Sequence, residues 1–344
     1  MKREIIRLHT MTKQIAVLLM LIAGLCCCLA ANAEINSGTL GTLTWTLSDA
    51  GLLEITGSGD IPNFSSDSTY AWRANAADIK TVTIDDEITG IGDYAFKSCY
   101  NMKEITIPTT VTRIGDYAFG SCSSLKEITI PDSVTEIGSG ICYSCSALTD
   151  AHIGNGISVI NSFAFGMCTH LVNISYPESI TTIEGYAFAH CYALTEIPVT
   201  ENTTIIRNSA FQNCSGLINI VIPQSVTIIG SSAFAECYNM TNIKLPDGLT
   251  VLGSSVFQNC RSLTEITIPD GPTIIYTSLF NGCTNLKEVW IPSSITSIDS
   301  NAFNNCTSLT DVYFTGSQSQ WHAISGYNNI KLYPEKWTRG LQTS

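Results

Sequence analysis

Ten cysteines keep one interval. Cys99, Cys122, Cys145, Cys168, Cys191, Cys214, Cys237, Cys260, Cys283 and Cys306 follow each other at steps of 23 residues without an insertion. No other feature constrains the fold as much, because a fixed period of this length means one structural unit stacked on copies of itself. Other positions keep the same beat. Phe stands three residues before nine of the ten cysteines, Phe96 to Phe303; the exception is Cys142, an eleventh Cys in a Phe position. Leu or Met stands three after every one, from Met102 to Leu309. Ile or Val mostly follows at six and eight, then Pro, as in Ile128, Ile130 and Pro131. The unit reads C-x-x-L-x-x-I-x-I-P-x-x-V-x-x-I-G-x-x-A-F-x-x.

A period in the twenties with L-x-x-I-x-I is the signature of a leucine-rich repeat. I-x-I has period 2 and predicts a short strand with its apolar side inward. Pro ends the ladder because it has no N–H to donate. V-x-x-I-G is expected to turn the corner, and A-F-x-x-C to return the chain as a helical turn. No single coil buries its own Phe, Leu and Ile, so neighbours must stack. The expected fold is therefore a leucine-rich-repeat solenoid of ten to eleven 23-residue coils, with short parallel strands on its concave face. Strands about 4.8 Å apart would make a curved rod roughly 50 Å long.

For the cysteines, a metal or redox ladder competes with a buried hydrophobic spine. Side chains repeated on stacked coils lie about 5 Å apart, too far for the roughly 3.8 Å Cβ separation of a disulfide. Zinc needs ligands around one point, whereas these form a line. Free Cys is among the most buried residue types, so the ten are expected to be structural, with no metal or cofactor. Cys142 and Cys145 form C-x-x-C, but Cys142 fills a Phe position and is read as core.

The first 33 residues read as an address. Lys2, Arg3, Arg7 and Lys13 precede an apolar run from Ile15 to Ala30, and Ala31-Asn32-Ala33 offers a cleavage site before Glu34. This predicts a secretory signal peptide. The run is too short for the roughly 20 residues that span a bilayer. Cys26 follows Leu25, a poor match to a lipoprotein site. Loss of four basic residues and one acid takes the net charge from −12 to −15, and Cys26, Cys27 and Cys28 leave with the segment. The expected product is exported, extracellular or at the cell surface (a periplasmic location is the alternative), with no membrane span in the mature chain. Lys and Arg number 17 against 29 Asp and Glu, which argues against nucleic acid as partner.

The repeat resembles the BspA-like, or Treponema pallidum-type, leucine-rich-repeat family of bacterial surface proteins, over Ile79 to Phe314. Gly41-Thr42-Leu43-Thr44-Trp45-Thr46-Leu47 with Leu53-Glu54-Ile55-Thr56-Gly57-Ser58-Gly59 resembles the β-rich segment that begins such arrays, and Thr315-Gly316-Ser317-Gln318-Ser319-Gln320-Trp321 the segment that ends them. The resemblance implies surface exposure, protein binding and, in some members, adhesion to host matrix proteins; it carries over no catalytic residue. The division expected is 1–33 signal peptide, 34–76 β-rich N-terminal cap, 77–314 repeat array and 315–344 C-terminal cap. Trp321, Ile324, Tyr327, Leu332, Tyr333 and Trp337 offer apolar cover for the last coil. Three coils depart from the pattern: Ala151 and Gly154 after Cys145, Pro198 and Thr200 after Cys191, Gly271-Pro272 after Cys260.

Strand residues that alternate with buried ones must face outward. Five after each Cys these are Glu104, Glu127, Asp150, Asn173, Glu196, Asn219, Asn242, Glu265, Glu288 and Asp311, all acidic or amide. Seven after, most are small, but Trp290 and Tyr313 are large aromatics on successive coils, and Lys244 is a cation. Exposed aromatics in a patch suggest an interface. The candidate binding residues are thus Trp290, Tyr313, Lys244, Glu265, Glu288 and Asp311; the alternatives are a C-terminal cap folded over the two aromatics and an acidic row that only solubilises the face. Lys103, Lys126 and Lys287 are placed to offset part of the row. Neither a metalloprotease, nucleophile-elbow nor phosphate-loop motif occurs, and carboxylate pairs are trivial in an acidic ladder. The sequence reads as a protein-binding or adhesion module without catalysis; a glycan-directed enzyme or a structural spacer are the alternatives.

Overall fold

A computed structural model describes residues 34–69, 71–330 and 336–337. The expected signal peptide, and Leu332 and Tyr333 of the expected C-terminal cover, lie outside the described residues. The chain is a β-solenoid in which each 23-residue step is one coil. Where first strands pair, they do so in parallel at that same offset, as in Glu127↔Asp150↔Asn173 and Glu265↔Glu288↔Asp311.

Each coil carries a second strand that the sequence reading took for a corner. Arg113–Ile114, Glu136–Ile137, Thr182–Ile183, Ile205–Ile206 and their equivalents form a further parallel ladder. The V-x-x-I stretch is β-branched, and extended backbone there places its carbonyls and amides against the adjacent coils.

The A-F-x-x-C segment is not the helical turn expected. Tyr117 and Ser121 take left-handed φ values of 50° and 61°, and the corresponding positions repeat this in coil after coil. Alternate amides then leave the coil: Tyr117 N–H donates to Ser139 O (2.8 Å), Phe119 to Ile141 O (2.9 Å) and Ser121 to Tyr143 O (2.7 Å). The amides between close turns within the coil, as in Cys122 N–H to Phe119 O (3.2 Å). A helix would spend every amide along its own axis and leave none for the next coil; the left-handed residues free half of them. The coil therefore has three sides, each hydrogen-bonded laterally.

Inside run the apolar columns. Phe rings stack on one another, Phe188 on Phe211 and Phe211 on Phe234 at 5.5 Å each. Ten repeat cysteines line the same interior; nine are fully buried and Cys306, in the last coil, is partly so. Each thiol from Cys122 on donates to the turn carbonyl of the preceding coil, as Cys214 Sγ to Phe188 O (3.1 Å) and Cys168 Sγ to Cys142 O (3.1 Å). Cys142 interrupts the rings, and Ile141 beside it replaces the Ala found at this point in most coils.

Each of the three irregular coils interrupts a ladder, and the first ladder also stops between Glu104–Ile105 and Glu127–Ile130 and between Asn242–Lys244 and Glu265–Thr267. Pro198 occupies a strand position, and its coil forms no first strand, so Asn173–Ser175 and Asn219–Val221 belong to separate sheets. Gly271-Pro272 separates the second-ladder strands Val251–Leu252 and Ile274–Ile275; a Cβ on Gly271 would run into the carbonyl of Leu249. After Cys145 the first strand Asp150–Ile153 forms, with Ala151 buried, but Val159–Ile160 does not pair with Glu136–Ile137. There the side chain of Asn161, standing where the two preceding coils have Gly115 and Gly138, donates to Ile137 O.

At the N-terminal end Glu34–Leu40, Leu43–Ser48 and Leu52–Gly57 form an antiparallel meander whose last strand pairs in parallel with Thr81–Ile84. The turn carbonyls of the first coil have no preceding coil to serve them. Side chains stand in: Trp72 Nε1 donates to Ala95 O (2.8 Å), and Arg73 Nη1 to Tyr94 O (2.9 Å) and Lys97 O (2.6 Å). At the other end helix Gln318–Ala323 starts from a Ser317/Gln320 capping box, and Trp321 is buried against Phe314 (5.2 Å). Strand Lys336–Trp337 pairs with Tyr313–Phe314. Among the described residues no helix is long and apolar enough to cross a membrane.

Candidate functional site

The first-strand side carries the acidic and amide column. Like charges on adjacent strands repel, at a cost that water and hydrogen bonds reduce. Here amides and hydroxyls do much of that work. Asp150 accepts from Thr149 (2.6 Å) and Asn173 (2.7 Å), and these bonds, Thr149 first, hold its carboxyl below the usual range with His152 adding to them. Thr310 donates to Asp311 (2.9 Å). Lys103, Lys126 and Lys287 contribute no ion pair: among the described residues the ion pairs are His152–Glu127 and Arg207–Glu184.

One column over, side chains seven after Cys stack in order Lys244, Thr267, Trp290, Tyr313. Thr267 pairs with Trp290 and Trp290 with Tyr313 in the ladder register. The two aromatic rings stack at 4.8 Å with planes 12° apart. Both residues are half-buried. Because Thr267 is small, a hollow opens between Lys244 and Trp290. This groove, of about 410 Å³, is lined by Lys244, Asp247, Glu265, Thr267, Pro269 and Trp290 among others. Of the sequence-predicted residues, the structure thus gathers Lys244, Glu265 and Trp290 around one groove. Tyr313 backs Trp290, while its strand is flanked on the far side by Lys336. Glu288 and Asp311 sit in the neighbouring column, half-buried, and do not line the groove.

A second cluster escaped the sequence reading. His152 Nδ1 lies 2.8 Å from Ser175 Oγ, and its Nε2 lies 3.6 Å from Glu127. Its neighbour groove, about 340 Å³, is lined by His152, Ser175, Tyr176, Glu196 and Pro198. Tyr176 stands where other coils bury Ile, and its hydroxyl reaches toward Val199 O (3.5 Å) across the missing strand. The only signals were His152 in an outward position and the displaced Pro198.

The cysteines lie behind this face. Burial pushes the Cys99, Cys237 and Cys306 thiols up to about 12, and the Cys191, Cys214, Cys260 and Cys283 thiols up as well. A thiol held protonated in the interior is neither nucleophile nor metal ligand. Among the described residues no group of three or more His, Cys, Asp or Glu is arranged to hold a metal ion.

Known proteins align with this architecture. The family model of the BspA type leucine rich repeat region matches in six copies, over residues 89–218 and 204–332. A leucine rich cell surface protein from Faecalibacterium prausnitzii is 29% identical, covering 85% of this chain and 98% of its own, with a TM-score of 0.45. A leucine-rich repeat protein from Eubacterium ventriosum is 23% identical over 90% of this chain and 98% of its own, with a TM-score of 0.50. One from Bacteroides ovatus is 22% identical over 90% and 99%, with a TM-score of 0.45. No curated protein matches the chain.

Proposed function

The chain belongs to the BspA-type leucine-rich-repeat family, and from that premise we propose that it is an exported protein-binding module, acting at or outside the cell surface through its first-strand face. The observation that carries this reading is the groove between Lys244 and Trp290, with its stacked Trp290–Tyr313 wall and its Glu265 and Asp247 rim. Aromatic anchors beside complementary charges are what interface hot spots are made of. Glu288 and Asp311 extend the acidic rim toward the C-terminal end, so the partner is a protein, a host matrix protein or another surface protein, that offers basic groups to this end of the array. The reading includes export by cleavage after Ala33, and the division into a cap over 34–76, an array over 77–314 and a closing segment over 315–344. No chemical step is assigned: the Glu127–His152–Ser175 cluster lies on exposed strand positions, and a reaction there would want a water-excluding site.

The test is capture of matrix proteins, basic peptides and glycans by the mature protein, with Trp290→Ala and Glu265→Gln beside it. Retention of a protein partner that Trp290→Ala weakens by about tenfold or more supports the reading. Retention that neither substitution changes moves the site elsewhere, and turnover of a retained glycan would replace binding by catalysis.

A further inference from the structure

The third side of the solenoid carries a row of aromatic rings on five successive coils. Tyr94 stacks on Tyr117 at 5.6 Å, Tyr143 meets Tyr117 and Phe163 edge-on at 6.0 Å each, and Phe163 stacks on Tyr186 at 4.9 Å. The row is distinct from the strand face: four of its members stand five residues before a Cys, in the return turn. All are partly or largely solvent-exposed, and the exposed Met167 adjoins Tyr143 at 3.4 Å from its hydroxyl.

Three observations say the row is more than packing. First, Tyr94, Tyr117, Phe163 and Tyr186 sit at left-handed φ values of 56°, 50°, 60° and 58°, where a bulky side chain is an outlier. Second, the fold does not need aromatics there. The same position holds Ser209, Ser232, Ser255 and Ser278 in the later coils, at the same backbone conformation. Third, room has been made for them: Gly140 takes this position between Tyr117 and Phe163, at φ 62°, and a Cβ on it would strike the Tyr117 ring.

The row has charge as well as shape. Asp93 and Asp116 precede Tyr94 and Tyr117, and the Tyr117 hydroxyl is pushed up by burial, then by Tyr94, Tyr143 and Asp116, so that carboxylate lies close to the rings. Lys97 already places its ammonium over the Tyr94 ring at 5.2 Å, the mode in which a basic group engages this surface. At the opposite end the row is apolar, with Phe163 and Met167, and it stops at Tyr186 because the next coil has only Ser209. With a net charge of −12, a second copy of this chain would be repelled.

We propose that this aromatic row is a second docking surface, and that it takes a cationic amphipathic polypeptide segment whose basic side chains meet Asp93 and Asp116 and whose apolar side chains meet Tyr143, Phe163, Tyr186 and Met167. Aromatic residues and Met are the types enriched where protein partners bind, and the adjoining carboxylates select the sign of the partner.

The probe is a synthetic peptide of alternating lysine and leucine, titrated against the mature protein, with a glutamate–leucine peptide and a neutral oligosaccharide alongside. The diagnostic variant is Tyr117→Ser/Phe163→Ser/Tyr186→Ser, which installs the residue that other coils carry there and changes no charge; its fold is checked by circular dichroism. The expected result is binding of the lysine–leucine peptide that this variant weakens by about tenfold. Asp116→Asn, which keeps the acceptor for Ser139 N–H (2.7 Å), should weaken it by a smaller factor and flatten its salt dependence. Trp290→Ala removes only the share of binding that the strand-face groove contributes, so the serine variant's loss should persist in a Trp290→Ala background, which separates the two surfaces. Equal binding by the serine variant would overturn the proposal, as would preference for the oligosaccharide, a serine-variant loss that vanishes in the Trp290→Ala background, or a dimer that the serine variant dissolves.

Discussion

At the residue scale the fold depends on a few side chains that finish what the backbone begins. A coil's turn amides donate to the next coil, so the first coil's Ala95 and Lys97 carbonyls lack a donor from a preceding turn and are met by side chains instead. Arg73 is buried at that point and donates to Tyr94 O, Lys97 O and Ser66 O. Arg73→Ala should lower stability by about 1–3 kcal/mol, since it strands acceptors in the interior. Denaturant unfolding measures this; an unchanged midpoint would mean that water serves those carbonyls equally well. The thiols work in the same way with a weaker donor, one Sγ–H for each preceding turn carbonyl. What the residue pattern revealed was where each side chain goes. It did not reveal that Tyr, Ser and Met would accept left-handed φ, because these residues have no intrinsic preference for it and take it only when neighbouring coils demand the hydrogen bonds.

At the scale of elements, the 23-residue interval was legible because apolar residues must recur wherever coils touch. The first strand was legible from I-x-I. The second was hidden, since V-x-x-I lacks the period of 2 and its Thr and Arg residues face solvent. The return turn was misread for a related reason: Phe and Cys three apart match a helical face as well as they match alternating turns. Of the groove, Trp290 and Lys244 were legible from one outward column and Glu265 from the acidic column beside it. The hollow itself depends on Thr267 being small between two large neighbours, and the Glu127–His152–Ser175 contact joins two columns that a single period keeps apart. The irregular coils carry a further expectation. With Pro198 in strand position, amides near 194–200 should exchange with deuterium faster than the equivalent amides near 217–223, by about tenfold or more. Equal protection would mean that the ladder is continuous in solution.

For the whole molecule, one interior shared by all coils makes the response to pH collective. Each fully buried thiol that burial pushes up keeps its proton in the folded chain above 9.0, where the unfolded chain releases it. The unfolded state then binds fewer protons, so stability is full below 9.0 and falls as pH rises toward about 12. Each such thiol contributes a slope of up to about 1.4 kcal/mol per pH unit. Unfolding monitored by circular dichroism from pH 8 upward should thus be steep and cooperative, and shallower in Cys214→Ala. A pH-independent signal to pH 11 would contradict it.

The central claim is that the cysteine interval marks coils and that the thiols form an interior spine, leaving function to the outer faces. The most direct measurement is mass-spectrometric mapping of thiol alkylation in the native mature protein at neutral pH. The structure predicts that Cys306, partly exposed in the last coil, reacts first and that Cys99 through Cys283 react only on unfolding. Rapid stoichiometric alkylation of the internal cysteines, or disulfides linking successive ones, would contradict the claim.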